Sequence, residues 1–239
     1  MTNQLNQRKG SGHDLPGERS LWGNFLFHTG ILVTKYYAKL AYKGQENIPE
    51  EAPYVLAANH QTYADGLFIA SGLPKSHFEK FSAMVGADVA TEHGTPGKII
   101  AAVARPVYVN RHGGNPVRGL IGAKNACQAG NIMLVHPEGT RTHDGRLGEL
   151  HSGAAYIAIK GQVPLVPVYI SGGYETFSRH DKRPRHKSPI TGMRNKITVE
   201  YGEPMYFERR FDAHVATDMI RDWMQEREQA YYNSLKVED

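Results

Sequence analysis

Short apolar runs that alternate with helix-like segments most strongly constrain the fold of this chain. Runs at residues 54–58, 81–85, 132–135 and 163–170 are mainly apolar, and each has the length of a buried strand. Segments with three- and four-residue apolar spacing lie between or after them, the longest at residues 212–235. This alternation predicts an α/β fold, with a mixed, largely parallel sheet flanked by helices.

Polar residues stand at the ends of three predicted strands. His60 and Glu138 follow the first and third of these runs, and Arg111 ends a further strand predicted at residues 104–111. Because ligands of such sheets bind beyond the carboxyl ends of the strands, we expect these side chains to line one cleft.

The segment Ala58–Gly66 contains a histidine and an aspartate on either side of a predicted strand-to-helix turn. His60 lies on the turn and Asp65 near the helix start, so that the turn can bring their side chains together. A carboxylate bonded to one imidazole nitrogen fixes the tautomer and leaves the other nitrogen able to accept a proton. The pair is therefore a candidate general-base dyad. The alternative is that Asp65 is a turn or cap residue and His60 a hydrogen-bonded buried histidine.

A second polar segment follows the apolar run at residues 132–135. It reads His136-Pro137-Glu138-Gly139-Thr140-Arg141-Thr142. Gly139 permits close approach of the backbone, and the Arg141 guanidinium suits bidentate recognition of a phosphate. On its own, this segment is equally consistent with a solvated turn.

Composition limits the classes of protein to consider. The 239 residues suit one domain, and a formal charge of +4 suits anionic lipids, phosphorylated substrates or nucleic acid. No nucleic-acid-binding module is recognisable, so we expect no nucleic-acid partner. Cys127 is the only cysteine, which excludes an internal disulfide. The sequence shows neither a secretory signal nor an uncharged apolar run long enough to span a membrane.

The N-terminal part divides into two segments of different composition. Residues 1–19 are polar, which predicts a disordered tail. Residues 20–42 are predicted to form an amphipathic helical segment at a membrane interface. Its apolar side chains at helical spacings are Trp22, Phe25, Leu26, Val33, Tyr36, Tyr37 and Leu40. Two settings fit such a helix: packing on the protein's own core, or lying in a bilayer surface, which Trp and Tyr favour.

Four segments, in order, resemble the motifs of the glycerolipid acyltransferase family, whose type members are the lysophosphatidate acyltransferases. Asn59–Gly66 resembles the N-H-x4-D motif, Val107–Arg111 the second motif, Pro137–Arg141 the P-E-G-T-R motif and Val163–Val168 the fourth. The resemblance covers about residues 40–205, and it implies that residues 43–239 form the acyltransferase catalytic domain.

The chain also departs from the family pattern. His136 stands where the family usually has an aromatic or apolar residue, and Thr142 where it often has serine. The segment Leu147–Gly153 lacks the lysines that the family usually carries there, so a phosphate contact from this segment is not expected. Many members have longer apolar N-terminal segments, so this chain is expected to attach peripherally.

The resemblance implies transfer of a fatty acyl group from acyl-CoA or acyl-carrier protein to the free hydroxyl of lysophosphatidate, giving phosphatidate in phospholipid synthesis. His60 is then the general base and Asp65 its orienting carboxylate. The acceptor's phosphate is assigned to Arg111, Glu138, Gly139, Thr140 and Arg141. Glu138 has a second interpretation, as an ion-pair partner of Arg111 or Arg141. Neither a metal nor a cofactor is expected, because the spacing of His60, His136 and His143 matches no usual ligand pattern and the chain has one cysteine.

Other functions and partners remain open at this stage. The acceptor can be another lysolipid, such as a lyso-ornithine lipid, or the protein can be a non-catalytic membrane-binding protein. The expected location is the cytoplasmic face of the inner membrane, with residues 20–42 on anionic lipid. The basic run Arg179–Lys187 is a solvated loop, a second contact with anionic lipid, or a contact with CoA phosphates or an acidic carrier protein.

Overall fold

The computed structural model describes residues 15–92, 99, 102–109 and 116–236. In this part of the chain, seven strands form one sheet in the order β1-β7-β6-β2-β5-β3-β4. The strands are β1 (Lys39–Lys43), β2 (Val55–Ala58), β3 (Phe81–Gly86), β4 (Pro106–Val109), β5 (Ile132–Val135), β6 (Leu165–Ser171) and β7 (Lys196–Tyr201). All neighbours pair in parallel except β6 and β7, so the predicted mixed, largely parallel sheet is confirmed.

Helices cover both faces of this sheet. They are α1 (Leu21–Tyr37), α2 (Asp65–Gly72), α3 (Lys75–Phe78), α4 (Ala87–Glu92), α5 (Pro116–Gln128), α6 (Gly153–Gly161), α7 (Gly173–Phe177) and α8 (Ala213–Lys236). Leu56 and Ala58 of β2 pack in the apolar cluster that contains α1 and α2, whereas Val55 and Ala57 pack with α5, α6 and α8. Since successive strand side chains point to opposite faces, a strand buried on both faces is apolar throughout.

The N-terminal helix is shorter than predicted. The Ser20 side chain accepts a hydrogen bond from Gly23 N at 3.0 Å and caps α1, which ends at Tyr37. The following residues form edge strand β1, which pairs with β7. The predicted helical segment at 20–42 is therefore wrong over its last residues, because its spacing cannot reveal pairing with a strand far along the chain.

The start of the described chain is also more ordered than predicted. Arg19, which falls in the predicted disordered tail, is buried, and its guanidinium donates to the carbonyls of Val103, Phe78 and Phe81 at 2.9–3.2 Å. These bonds attach the segment before α1 to the sheet. Residues 1–14 lie outside the described part.

Helix α1 has two different faces. Gly23, Phe27 and Ile31 are buried against the core. The opposite face is apolar and exposed, and consists of Leu21, Trp22, Phe25, Leu32, Val33 and Tyr36. The buried face therefore agrees with packing on the protein's own core, and the exposed apolar face is suited to a bilayer surface. Within the described residues, no helix combines the length and the apolar character needed to cross a bilayer.

Candidate active site

The turn between β2 and α2 brings a histidine and an aspartate into contact. His60 Nδ1 lies 2.9 Å from Asp65 Oδ2, and Asp65 is the first residue of α2. The Asp65 side chain is 1% exposed and that of His60 21%, so the carboxylate is hidden behind an imidazole that remains accessible. Because Asp65 accepts, Nδ1 carries the proton, and Nε2 is the unprotonated nitrogen of the neutral ring.

The Asp65 carboxylate is held by the turn that precedes it. Its oxygens accept hydrogen bonds from Gln61 N at 2.7 Å, Thr62 N at 3.0 Å and Thr62 Oγ1 at 2.9 Å. Burial raises the pKa of Asp65 to about 6, against the opposing effect of these hydrogen bonds. The group is therefore mainly ionised at neutral pH and can stabilise an imidazolium at His60.

The residues on either side of His60 fix the turn to the neighbouring strand. The Asn59 side chain donates to Ile170 O at 2.9 Å and accepts from Ile170 N at 2.7 Å. Its amide thus pairs with both backbone groups of Ile170, as the backbone of a neighbouring strand would. Gln61 Oε1 accepts from Gly173 N and Tyr174 N at the start of α7. The sequence alone indicated no role for the side chains of Asn59 and Gln61. The signal that could have found them is a polar residue on each side of His60, at the end of an apolar strand.

The segment after β5 binds both backbone groups of His60. Glu138 Oε1 accepts from His60 N at 2.7 Å, and Thr142 N donates to His60 O at 2.8 Å. The other Glu138 oxygen accepts from Gly148 N at 2.9 Å. Burial raises the pKa of this carboxyl to about 7, and its two backbone donors oppose the shift.

These contacts give Glu138 a role that differs from both predicted ones. Its oxygens are occupied by backbone N–H groups of His60 and Gly148, so it holds the histidine in place. Among the described residues it forms no ion pair with Arg141, so the predicted pairing with Arg141 is corrected. Arg111, the other predicted ion-pair partner and phosphate ligand, lies outside the described residues.

The His136 ring stacks on the ring of His60. The ring centroids are 3.9 Å apart with an angle of 9° between the planes. His136 Nδ1 lies 3.0 Å from both Ala58 O and Asn59 O, so that this nitrogen must donate. Burial, with a smaller effect from the proximity of His60, lowers the pKa of His136 to about 3. A neutral ring thus limits the motion of the His60 imidazole.

A cavity of about 720 Å³ opens beside the His60 ring. The loops after β2, β5 and α7 contribute its polar wall, formed by His60, Tyr63, His136, Gly139, Thr140, Arg141 and Arg179. Helices α1 and α2 and strand β3 contribute apolar side chains, including Leu26, Phe27, Leu67, Phe81, Met84 and Val85. The cavity therefore joins a proton acceptor and cationic groups to an apolar chamber.

Three of the predicted phosphate-binding residues lie on the cavity wall. Gly139 has φ +69°, in the left-handed region that favours glycine, and the chain turns there towards Thr140 and Arg141. The half-buried Arg141 guanidinium lies 3.5 Å over the Tyr63 ring. Arg179 lines the same cavity, although the sequence placed it only in a basic run.

The sequence profile of the family described as Acyltransferase matches residues 39–171. This chain belongs to the acyltransferase family. The match includes His60, Asp65, Glu138 and Arg141, and it confirms that the motifs are those of an acyltransferase.

Two relatives show how far the similarity extends. The chain is 24% identical over 160 residues to 1-acyl-sn-glycerol-3-phosphate acyltransferase alpha of Mus musculus, covering 66% of this chain and 53% of that protein. It is 32% identical over 143 residues to the chloroplastic enzyme BAT2 of Brassica napus, covering 59% of this chain and 40% of the relative. The chain thus spans about half the length of the curated relatives it matches.

A solved structure shares the fold of this family member. The crystal structure of PlsC, the 1-acyl-sn-glycerophosphate acyltransferase of Thermotoga maritima, matches with a TM-score of 0.65 and 20% identity, over 86% of this chain and 79% of that one. At this identity the match shows a common fold.

In this member of the acyltransferase family, His60, Asp65 and His136 offer ligand atoms within 4.8 Å of one another. A metal would have to compete with existing bonds, since the Asp65 oxygens accept from His60, Gln61 and Thr62, and His136 Nδ1 donates to two carbonyls. The donor set therefore fits proton transfer better than metal binding.

Replacing Glu138 by Gln distinguishes its role in holding the His60 backbone from the predicted role in phosphate binding. The side-chain NH₂ would face one of the two N–H donors, so we expect the free energy of unfolding to fall by about 1–3 kcal/mol. We expect kcat for acyl transfer to fall as the His60 backbone is released, with the KM for the acceptor nearly unchanged. Urea denaturation and steady-state kinetics measure the two effects.

The exposed Glu149, in the same loop region, provides the matched control Glu149→Gln, which should change neither quantity. A Glu138→Gln variant with normal kcat and a raised KM for a phosphorylated acceptor would contradict the backbone role and restore the phosphate role.

Proposed function

We propose that this protein is an O-acyltransferase that moves a fatty acyl group from a thioester to the free hydroxyl of lysophosphatidate and releases phosphatidate. The observation that supports it most is the His60–Asp65 pair at the polar wall of a cavity whose other walls are apolar. A reaction between a hydroxyl, a thioester and a fatty chain needs these elements together.

The proposed reaction is direct transfer with His60 as general base. His60 Nε2 takes the proton of the acceptor hydroxyl while its oxygen attacks the thioester carbonyl carbon. The tetrahedral intermediate then expels the thiolate, which takes the proton back from the His60 imidazolium. Asp65 stabilises that imidazolium through its contact with Nδ1. General-base assistance of this kind contributes about 10²–10⁴-fold to the rate.

The apolar chamber is proposed to hold the fatty chain. Each buried methylene contributes about 0.8 kcal/mol, so an apolar chamber of this size can bind a long chain tightly. The thioester donor is acyl-CoA or acyl-carrier protein, and both remain part of the proposal. Arg141 is the described candidate for the acceptor's phosphate, and Arg111 stays a prediction.

Another lysolipid acceptor is the second candidate. The segment Leu147–Gly153 contains no lysine or arginine, and Gly148 N is bonded to Glu138. A segment without a permanent cation favours an acceptor that carries less negative charge. A panel of acceptors with one donor separates the two candidates.

The membrane is proposed to lie against the exposed face of α1, at the cytoplasmic side of the inner membrane. The buried side of the same helix contributes Leu26 and Phe27 to the cavity, so a lipid could pass from the bilayer into the chamber over a short distance. The basic loop after α7 packs nearby, since Arg194 donates to Lys35 O at 2.7 Å and His186 stacks on Tyr37. Basic groups beside an exposed apolar helix suit an anionic bilayer.

Replacing His60 by Ala tests the proposed chemistry. We expect thiol release from the donor in the presence of lysophosphatidate to fall by about 10²–10⁴-fold, because the base is lost. Circular dichroism should show an unchanged fold. His214→Ala, at an exposed histidine of α8, is the matched control and should keep full turnover. Near-normal turnover in His60→Ala would remove the dyad from the mechanism.

The membrane contact is tested by the double variant Trp22→Ser and Phe25→Ser. Both side chains are exposed, so their loss should weaken sedimentation with anionic vesicles while the thermal midpoint stays unchanged. The control is Val215→Ser with Met219→Ser, which removes exposed apolar groups from α8. Equal loss of vesicle binding in both variants would argue against a specific α1 contact.

A further inference from the structure

Two arginine side chains from different loops meet on the cavity wall beside the dyad. Arg141 follows β5 and Arg179 follows α7, and both are half-buried. Burial lowers the pKa of Arg141, and the positive charge of Arg179 adds to this lowering. The two charges are therefore close enough to repel one another in a partly desolvated place.

Within the described residues, no carboxylate forms an ion pair with either guanidinium, although the charge of Asp65 favours the ionised form of Arg141. Arg141 lies over the Tyr63 ring, and the Arg179 guanidinium donates to two neutral acceptors, Arg141 O at 3.0 Å and His143 Nε2 at 2.8 Å. Other described arginines do have acidic partners, such as Arg185 with Asp181 in the same basic run. Holding two unneutralised cations together costs free energy that an anionic ligand would recover.

Arg179 is held in place rather than free to turn outward. His143, which accepts from Arg179, is itself fixed because its carbonyl accepts from Tyr174 Oη at 2.9 Å and His180 Nε2 at 3.0 Å. The bond from Arg179 to Arg141 O ties it to the loop that binds His60. A guanidinium positioned in this way loses little conformational entropy when it binds a ligand.

We propose that Arg179 and Arg141 form a two-guanidinium subsite for a phosphate monoester, and that Arg179 determines the preference for a phosphorylated acceptor. The inference rests on the proposed acyl transfer. Arg179 lies beyond residues 39–171, which match the family profile, and it supplies a cation that the segment Leu147–Gly153 does not. A phosphate monoester dianion matches two forked donors in both charge and geometry.

The phosphate monoester can belong to the acceptor or to the donor. Among the two donors, CoA carries a phosphate monoester on its ribose, whereas the phosphopantetheine of the carrier protein carries none. The experiment therefore uses both donors, acyl-CoA and acyl-carrier protein. It also uses two acceptors that differ only in the phosphate, lysophosphatidate and monoacylglycerol. The variants are Arg179→Gln and Arg179→Lys, with the exposed Arg210→Gln as control.

With Arg179→Gln, we expect the KM for lysophosphatidate to rise by about tenfold or more with either donor, from the loss of a charged hydrogen bond. The kcat should change little, because His60 and Asp65 are untouched. Arg179→Lys should restore part of the affinity, and the KM for monoacylglycerol should stay the same. Arg210→Gln should match the wild type throughout.

Three outcomes would overturn the proposal. An equal rise of KM for both acceptors would mean that Arg179 acts on the fold and not on a phosphate. A rise confined to the KM for acyl-CoA would assign the phosphate to the donor and remove the role in acceptor choice. An unchanged KM for every substrate would exclude the subsite.

Failure of the proposed acyl transfer can be told apart from failure of the subsite. If the wild type shows no turnover, calorimetric titration with lysophosphatidate and monoacylglycerol still compares wild type with Arg179→Gln. Weaker binding of the phosphorylated lipid alone supports the subsite, whereas equal binding by both proteins contradicts it.

Discussion

The hydrogen bond from the His60 backbone to the Glu138 carboxylate, at 2.7 Å, joins the two halves of this site. One half is the turn after β2 and the other the turn after β5. These strands are parallel neighbours, with Ala57 opposite Val135, so residues far apart in sequence leave the sheet side by side. The Thr142 bond to His60 O completes the contact, and the dyad, the His136 stack and the position of Arg141 depend on it.

The electrostatics of the site follow from burying carboxylates among backbone N–H groups. Burial raises the pKa of both Asp65 and Glu138, while donors from Gln61, Thr62, His60 and Gly148 favour their ionised forms. Fixed N–H dipoles thus replace the water that each carboxylate has lost. The Asp65 carboxylate accepts a hydrogen bond from the His60 imidazole, whereas the Glu138 carboxylate accepts one from the His60 backbone.

Local sequence predicted the strands and the pair that lies within one turn. Strands β2, β3, β5 and β6 fall close to their apolar runs, and His60 and Asp65 are five residues apart in one connection. The features that were missed depend on contacts between distant segments. Strand β1 exists through its pairing with β7, and the Glu138 carboxylate meets backbone groups whose position no motif encodes.

The same reason explains which features of the cavity wall the sequence did not reveal. Arg179 belongs to a run of basic residues that resembles any solvated loop, and only the packing of α7 against Gln61 brings it beside Arg141. His136 was recognised as a departure from the family, yet its stacking on His60 needed coordinates. Sequence patterns therefore identified the chemistry, while the sheet order determined which groups share the cavity.

The tautomer of His60 tests the central claim most directly. Nitrogen-15 NMR of the histidine side chains, with His60 assigned by comparison with His60→Gln, reports which ring nitrogen carries the proton. At neutral pH the contact with Asp65 predicts a protonated Nδ1 and an unprotonated Nε2. A dominant form with the proton on Nε2 would contradict the account.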